Sequence, residues 1–316
     1  MHKIEPGFSS SSVCASSFFD DAACSFLQKI FSNGFNIEAK LESFSNENWK
    51  IQEPSGNAWV VRIPTRIAHS LCHQSQEKAV LDWAFREGFS LLEVAGYAEK
   101  EGYLLTPFLS GRSCSKLDFQ TPVYLREALD LLSRLHISKT APIEVQFDPL
   151  ARYTATVQQA LEEGIVFEPE VHEIAGELRG FLTHMSNRCF YMLPCHNDPS
   201  PENFFCQDGR LYLHDWELAR RNDPMWDLAH FSVIAEVEPE ILLSLYPTSD
   251  PLAREKILFF QPFVVFNTAV WGALERAKLS PGLSKERVEL LYRTFLGKSL
   301  ALIKSELFQV ALKKLI

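Results

Sequence analysis

The sequence lacks the cysteine pattern of a secreted, disulfide-linked or zinc-binding protein. Its seven cysteines are odd in number and form no Cys-x-x-Cys pair, which argues against both a disulfide framework and a zinc site and predicts a reducing, cytoplasmic location. Near the N-terminus, Glu5, Pro6, Asp20 and Asp21 flank the short serine run and break up any apolar segment, so we expect no secretion signal there. We expect residues 1–34 to form a leader that ends in a helix.

The sequence also has little positive charge and no uninterrupted apolar span. The formal net charge of -9 argues against a nucleic-acid binder, which needs a positive field, and fits a cationic ligand better. The most apolar stretch, Phe259–Leu274, contains Gln261, Pro262, Asn267 and Thr268, so we predict a buried core helix without membrane insertion. No pattern in the sequence indicates an oligomeric state.

The 316 residues exceed one typical domain, and the patterning changes part-way along them. Alternating apolar residues over 36–63, a helical pattern from Gln76 to Glu87 ended by Gly88, and apolar runs at 91–97 and 103–109 predict three strands, a helix and two strands. After Gly111 long helical patterns dominate. We therefore predict an α+β fold with a small N-terminal antiparallel sheet lobe, residues 1–109, and a larger, mainly α-helical lobe, residues 110–316.

A loop followed by a hairpin interrupts the helical region between Met192 and Trp216. Gln207-Asp208-Gly209 lies between two apolar runs, and Asp-Gly in that position predicts a tight β-hairpin.

The same segment contains the residues that carry chemistry. Asp198 stands in the loop, Asn203 follows five residues later, and Asp215 follows the hairpin. This is the spacing of a phosphoryl-transfer loop, in which one aspartate orients the attacking hydroxyl and an asparagine and a second aspartate hold Mg²⁺. Singly, such residues usually cap turns, but the complete set favours a catalytic centre with Asp198 as the base.

These motifs resemble the aminoglycoside phosphotransferase and choline/ethanolamine kinase superfamily. His196-Asn197-Asp198 with Asn203, then Asp215-Trp216-Glu217, then the segment Asn222–Ala229 are most similar to the bacterial choline kinases. The resemblance extends from about Leu41 to Trp271. It implies a bilobal protein-kinase-like fold in which the N-terminal lobe binds nucleotide, the C-terminal lobe carries catalysis and acceptor binding, and ATP with Mg²⁺ is the cosubstrate.

The resemblance also implies roles for residues outside the loop. Arg62 would reach the nucleotide phosphates and pair with Glu77, although either could be an ordinary surface charge. The loop before the second strand contains no glycine, which departs from a phosphate-covering loop. The residues implied to bind the nucleotide are Arg62, Glu77, Ser45, Asn46, Pro107, Leu109, Phe205 and Leu213. For the aromatic and apolar members of this set, a plain core role is the alternative.

The acceptor is predicted to be a small molecule. Asp227 follows Asp215 by only twelve positions, which leaves no room for the activation segment with which a protein kinase docks a peptide. A cationic alcohol would need aromatic faces and a carboxylate, and the candidates are Glu217, Trp226, Trp271 and Tyr292. For Trp226 and Trp271 a core position is about as common on general grounds.

The choline pocket implied by the resemblance is incomplete. Thr268 replaces the first tryptophan of the family's Trp-x-x-Trp box, and Leu218 replaces a tyrosine. The predicted function is therefore an alcohol phosphotransferase acting on choline or a related amino alcohol. An aminoglycoside or thiamine phosphotransferase and a non-catalytic nucleotide-binding pseudokinase remain as alternatives.

Overall fold

The protein is described from a computed structural model, which covers residues 18–41, 46–64, 74–162, 164–185, 190–278 and 284–316. The chain divides into two compact units, residues 1–110 and 111–316. Ser45, predicted to contact nucleotide phosphates, lies outside the described residues.

In the part of the N-terminal unit that the structure describes, an antiparallel sheet is accompanied by two helices. Its strands are ordered β1-β2-β3-β5-β4, and the predicted succession of three strands, a helix and two strands is confirmed. The elements are α1 (Asp21–Ile30), β1 (Asn36–Leu41), β2 (Asn46–Gln52), β3 (Ala58–Pro64), α2 (Gln74–Arg86), β4 (Gly96–Ala98) and β5 (Tyr103–Pro107).

Apolar side chains from α1 and the sheet form the core of this unit. Leu27 of α1 and Ile51, Val61 and Leu105 of the sheet are fully buried in one cluster. Strand alternation explains the sheet's contribution, because every second side chain points to the same face. Burial of this face holds α1 against the strands.

The strand predicted over 91–97 is shorter than expected. Only Gly96–Ala98 pairs with β5, and the pairing is preceded by a single hydrogen bond from Ala95 N to Leu105 O. Leu92 N instead donates to the Ser90 hydroxyl at 3.1 Å. The apolar run is therefore partly irregular, because a side chain and not a neighbouring strand satisfies its backbone.

The C-terminal unit is mainly helical, as predicted. Its helices are α3 (Pro122–His136), α4 (Ala151–Glu162), α5 (Pro169–His184), α6 (Pro224–Ala235), α7 (Pro239–Leu245), α8 (Ala253–Lys278), α9 (Lys285–Lys304) and α10 (Glu306–Leu315). Its strands are β6 (Arg112–Ser113), β7 (Leu193–Cys195), β8 (Phe204–Gln207), β9 (Arg210–Leu213) and β10 (Arg220–Asn222), which form a β6-β8-β9 sheet and a β7-β10 pair.

Helix α8 is the central element of this unit, and it packs against α6, α9 and α10. Phe259, Phe263 and Phe266 are fully buried along it. Within the described ranges one helix, Ala253–Arg276, is long and apolar enough to cross a membrane, but 78% of its most apolar window is buried inside the protein. This burial agrees with the predicted core helix.

The predicted Asp-Gly hairpin is confirmed. Strands β8 and β9 pair from Phe204↔Leu213 to Gln207↔Arg210, and Asp208 and Gly209 both have positive φ, 52° and 75°. Two successive positive φ values match the right-handed twist of the flanking strands. The turn therefore sets the register that places Asn203 and Asp215 at the same end of the hairpin.

Candidate active site

Asp227 of α6 is a buried residue that anchors the loop containing Asp198. This loop, residues 196–203, is called the catalytic loop below. Its side chain is fully buried and accepts backbone hydrogen bonds from His196 N at 2.9 Å and Asn197 N at 2.7 Å. His136 at the end of α3 donates through Nε2 to Asp227 Oδ2 at 2.9 Å, and its Nδ1 lies 2.7 Å from the Tyr246 hydroxyl. Charge-assisted bonds of this kind are the stronger ones in proteins.

Asn197 fixes the loop immediately before Asp198. It adopts a left-handed conformation with φ of 66°, which asparagine tolerates better than most residues. Its Oδ1 accepts from Asn222 Nδ2 at 2.8 Å, and its Nδ2 donates to the carbonyl oxygens of Leu218 at 3.0 Å and Arg220 at 3.2 Å. These bonds connect the loop to β10 and leave the backbone little freedom at residue 198.

Only one carboxylate oxygen of Asp198, Oδ1, is hydrogen-bonded to other described residues. Its Oδ1 lies 3.0 Å from His230 Nε2 and accepts from the Ser200 hydroxyl at 2.9 Å. No described residue donates a hydrogen bond to Oδ2, and the side chain is 28% exposed. Oδ2 is therefore the oxygen that an acceptor hydroxyl can approach.

The pKa of Asp198 reflects opposing influences. Desolvation raises this pKa, but the hydrogen bond from His230 and the electrostatic effects of His230 and Arg152 outweigh it and hold the pKa well below its ordinary value. The carboxylate is consequently ionised at neutral pH. A weak base of this kind can orient a hydroxyl and accept its proton late in the transfer.

Asn203 and Asp215 flank the open end of the β8–β9 hairpin, one just before β8 and the other just after β9. Asn203 Nδ2 donates to Asp198 O at 2.8 Å, and His214 N donates to Asn203 O at 3.0 Å. Asp215 has φ of 62°, an uncommon conformation for a residue other than glycine. Such outliers concentrate at functional sites.

These two residues fit a magnesium site by the chemistry of their donors. Mg²⁺ prefers carboxylate and carbonyl oxygens, which Asp215 and Asn203 supply. The amide of Asn203 is oriented by its Nδ2 bond to the Asp198 carbonyl, and no described residue donates to its Oδ1. That oxygen is therefore available to a metal ion.

A second group of possible metal ligands lies beneath the loop. One ligand atom from each of His136, Cys195 and Asp227 lies within 4.8 Å of the others, and all three residues are buried. Burial raises the pKa of the Cys195 thiol well above its ordinary value, which disfavours the thiolate that a metal requires. The His136 and Asp227 polar atoms already hold the hydrogen bonds described above, so this cluster is a scaffold for the loop.

In the N-terminal unit the structure brings Arg62 and Glu77 together. Arg62 Nη2 lies 2.5 Å from Glu77 Oε1, and Tyr97 donates its hydroxyl to Glu77 Oε2 at 3.0 Å. The side chains are only 12% and 4% exposed, so neither is the ordinary surface charge that was the alternative. Asn46 is buried at the first residue of β2, and Pro107 ends β5.

The family of the chain is decided by a comparison that covers most of these elements. A model of the APH phosphotransferase enzyme family matches residues 38–245, which include Arg62, Glu77, the catalytic loop and the β8–β9 hairpin. The chain belongs to the phosphotransferase enzyme family.

Sequence relatives of the chain include proteins named LicA. The chain is 30% identical to the protein LicA of Haemophilus influenzae over 181 residues, or 55% of this chain. The match covers 51% of one LicA sequence and 65% of another, so it spans less than two thirds of those relatives.

Solved structures share the fold at lower identity. A choline/ethanolamine kinase family protein from Mesorhizobium loti superimposes with a TM-score of 0.68 at 21% identity, over 93% of this chain and 98% of that chain. The choline kinase LicA from Streptococcus pneumoniae gives a TM-score of 0.72 at 20% identity, over 89% and 99%. A structure of LicA in complex with AMP gives 0.71 at 19% identity, over 88% and 98%. The protein-kinase-like α+β fold predicted for this phosphotransferase is thereby confirmed.

The remaining residues predicted to contact the nucleotide range from half-buried to fully buried. Phe205 of β8 is half-buried, and its ring approaches Gly111 so closely that a Cβ there would lie 2.4 Å from it. Leu213 of β9 is fully buried, and Leu109 is half-buried after β5. The glycine at 111 is therefore required by packing.

Two of the aromatic residues predicted to bind the acceptor molecule, Trp226 and Tyr292, have side chains buried against other parts of the protein. Trp226 is 1% exposed, packs on Phe147 and Phe260, and donates its indole N–H to Asn197 O at 3.2 Å. It supports the catalytic loop from the core, because α6 turns its first-turn residues inward. We correct its predicted role accordingly.

Tyr292 also differs from its prediction as a cation-binding face. It is 3% exposed and donates its hydroxyl to Glu168 at 2.8 Å. The Arg276 guanidinium lies 4.4 Å from its ring centroid and pairs with Glu168 at 2.5 Å. The ring already carries an internal cation, so Tyr292 is removed from the acceptor site. Trp271 and Glu217, the other two predicted acceptor residues, are half-buried.

Sequence reasoning missed His230, the partner of Asp198. The helical spacing could have indicated this contact. His230 follows Asp227 by three residues, and residues three apart lie on the same helix face. A face that anchors the catalytic loop through Asp227 also presents His230 to it.

Proposed function

We propose that this phosphotransferase transfers the γ-phosphate of ATP to the hydroxyl group of choline or a related amino alcohol. The observation that carries the proposal is the environment of Asp198, whose Oδ1 is held by His230 and Ser200. Oδ2 faces no described donor, and Asn203 is bonded to the Asp198 backbone. This arrangement combines an oriented carboxylate with oxygen ligands for a metal ion.

Asp198 would act chiefly by orientation. Its Oδ2 would accept a hydrogen bond from the acceptor hydroxyl and take the proton as the new O–P bond forms. Because the transition state of phosphoryl transfer is loose, the hydroxyl need not be deprotonated beforehand, and a carboxylate of low pKa suffices. Asn203 and Asp215 would hold Mg²⁺, whose positive charge would offset that of the nucleotide phosphates.

The nucleotide roles proposed for the other residues follow the sequence expectations. Arg62, held by Glu77, would neutralise phosphate charge. Because the pair is buried, the guanidinium would not be drawn into ion pairs with surface carboxylates. Asn46 and Ser45 would contact phosphates, and Pro107, Leu109, Phe205 and Leu213 would contact the adenine. The complex of LicA with AMP supports an adenine nucleotide as cosubstrate.

Glu217 and Trp271 remain as the proposed cation-binding residues. With Trp226 and Tyr292 removed, the aromatic face of Trp271 and the carboxylate of Glu217 would contact the ammonium group. The choline kinase activity named for LicA supports choline. The replacements at Thr268 and Leu218 favour testing smaller or different amino alcohols beside it. The free thiols of Cys114, Cys195 and Cys206 support the proposed cytoplasmic location.

The test is Mg²⁺-dependent ATP consumption with a panel of acceptors: choline, ethanolamine, thiamine, an aminoglycoside, homoserine and sugars. We expect choline or ethanolamine to be phosphorylated, and Asp198→Asn to lower kcat by about 100-fold or more while ATP binding is unchanged. Asp208→Asn, in the exposed turn of the β8–β9 hairpin, is the matched control and should retain activity.

Each other outcome identifies an alternative. Transfer only to thiamine or an aminoglycoside would replace the acceptor and keep the mechanism. ATP binding without transfer to any acceptor would support the non-catalytic nucleotide-binding protein. Full activity of Asp198→Asn would refute the proposed mechanism.

A further inference from the structure

We propose that His230 is a positioning residue for Asp198, which selects Oδ2 as the oxygen that receives the acceptor proton; this inference rests on the proposed phosphotransfer. His230 lies on α6 and is 8% exposed. Its Nε2 is 3.0 Å from Asp198 Oδ1. Ser200 donates to the same oxygen at 2.9 Å. Both contacts therefore hold Oδ1, and Oδ2 stays available to the acceptor hydroxyl.

The contact defines the tautomer of His230. A carboxylate accepts hydrogen bonds and donates none, so Nε2 must carry a proton. The opposite ring atom, Nδ1, is buried without a hydrogen-bond partner in the described parts of the chain. A proton on Nδ1 would be a buried, unpartnered donor on a charged ring, which is costly. The neutral ring with its proton on Nε2 is the form that this geometry accommodates.

Two other titratable or charged groups act on the His230–Asp198 pair: His196 from the catalytic loop and Arg152 from α4. Asp227 lies three residues before His230 on the same helix, but its oxygens are engaged by His136 and the loop backbone. Asp198 is thus the acceptor that orients the imidazole.

The proton balance of the transfer follows from this assignment. The acceptor oxygen forms a bond to the γ-phosphorus, the bond from that phosphorus to the β,γ-bridging oxygen breaks, and the hydroxyl proton passes to Asp198 Oδ2. His230 keeps its own proton throughout. If His230 became an imidazolium, its charge would weaken Asp198 as a proton acceptor and oppose a cationic acceptor nearby.

The test compares three substitutions at His230. His230→Leu removes the donor and should lower kcat by about 10- to 100-fold, the loss expected for a hydrogen bond to a charged group, with little change in the KM for ATP. His230→Gln places an amide N–H near the position of Nε2 and should restore most of kcat. His230→Asn is too short to reach Oδ1 and should resemble leucine. His184→Leu, at an exposed histidine on α5, is the matched control.

Rescue by glutamine is the readout that a purely structural role would not give, because the amide restores the hydrogen bond to Asp198 Oδ1 without restoring the imidazole ring. Equal kcat values for the leucine, glutamine and parent proteins, or a glutamine variant no more active than the leucine variant, would overturn the proposal.

A measurement without turnover separates this inference from the proposed function. In ¹⁵N-histidine NMR spectra, identified through His230→Gln, the His230 ring should show a proton on Nε2, and its resonances should move in Asp198→Asn. If the parent protein phosphorylates no acceptor, the proposed function fails, and these spectra still decide the contact. An Nδ1–H tautomer, or resonances insensitive to Asp198→Asn, would overturn the inference even if transfer is observed.

Discussion

Replacing the buried Asp227 by asparagine should uncouple the catalytic loop from α6. The carboxylate accepts three hydrogen bonds, from His196 N, Asn197 N and His136 Nε2, at 2.9, 2.7 and 2.9 Å. Asparagine has nearly the same shape but one acceptor oxygen in place of two. In either amide orientation its NH₂ group must face at least one of these donors.

The magnitude follows from the number of bonds lost. A buried donor left unsatisfied costs about 1–3 kcal/mol, and Asp227 is fully buried, so water cannot replace the lost acceptor without rearrangement. One bond is lost, the bonds that remain lose the assistance of the negative charge, and the facing donors repel each other. We therefore expect Asp227→Asn to lower the free energy of unfolding by about 2–3 kcal/mol.

The assay is urea unfolding monitored by circular dichroism, with kcat measured in parallel. The matched control is Asp130→Asn on α3, where the aspartate is 66% exposed and pairs with Arg134 in the next helical turn. That pair should contribute less than about 0.5 kcal/mol. Because the bonded amides immediately precede Asp198, kcat of Asp227→Asn should fall even at urea concentrations where the protein remains folded.

The reasoning would be refuted by equal unfolding free energies, within about 0.5 kcal/mol, for the two variants. A large loss of stability with unchanged kcat would show that Asp227 stabilises the unit without positioning the loop.

Three further predictions concern other parts of the molecule. Glu77→Gln should destabilise the N-terminal unit by about 2 kcal/mol and weaken ATP binding, because Arg62 would lose its buried countercharge. Gly111→Ala should be strongly destabilising, since its Cβ would lie 2.4 Å from a backbone oxygen, whereas Gly180→Ala on α5 meets nothing within 4 Å and should stabilise by about 0.5–1 kcal/mol. Burial lowers the pKa of His196, so its contribution to stability is full above about pH 6.5 and declines as the pH falls below that value.

Each of these predictions has a direct measurement. Thermal unfolding with and without ATP checks Glu77→Gln, and a variant with unchanged stability and affinity would contradict the role of the pair. Thermal unfolding also ranks Gly111→Ala below Gly180→Ala, and the reverse order would disprove the packing argument. For His196, the urea midpoint between pH 7 and pH 5.5 should decline less steeply in His196→Gln than in the parent protein; parallel declines would assign the pH dependence elsewhere.

Local patterns were sufficient for several elements because their causes are local. The Asp208-Gly209 turn was predictable from two residues that tolerate positive φ. The buried helix α8 was predictable because an apolar stretch containing Gln261, Pro262 and Asn267 is better satisfied in a protein core than in a bilayer. The strand predicted over 91–97 was too long. The Ser90 hydroxyl accepts a backbone hydrogen bond there, and apolar periodicity does not reveal such a local side-chain competitor.

Side-chain environments were harder to predict than elements. An exposed tryptophan in a cation cage and a tryptophan packed under a loop have the same sequence signature, so the core position of Trp226 required its neighbours. The same holds for Tyr292, whose ring is covered by Arg276 from a different helix. A cation–π contact between two helices produces no sequence periodicity in either helix, so the sequence could not reveal it.

The sequence alone determined the order of elements, the family resemblance and the set of Asp198, Asn203 and Asp215, because spacing along a loop and hairpin is a property of adjacent residues. Only the tertiary structure decided that His230 lies against Asp198 Oδ1 and that Asp227 holds the loop backbone. Those contacts join residues about 30 positions apart, and the packing of α6 beneath the catalytic loop brings them together.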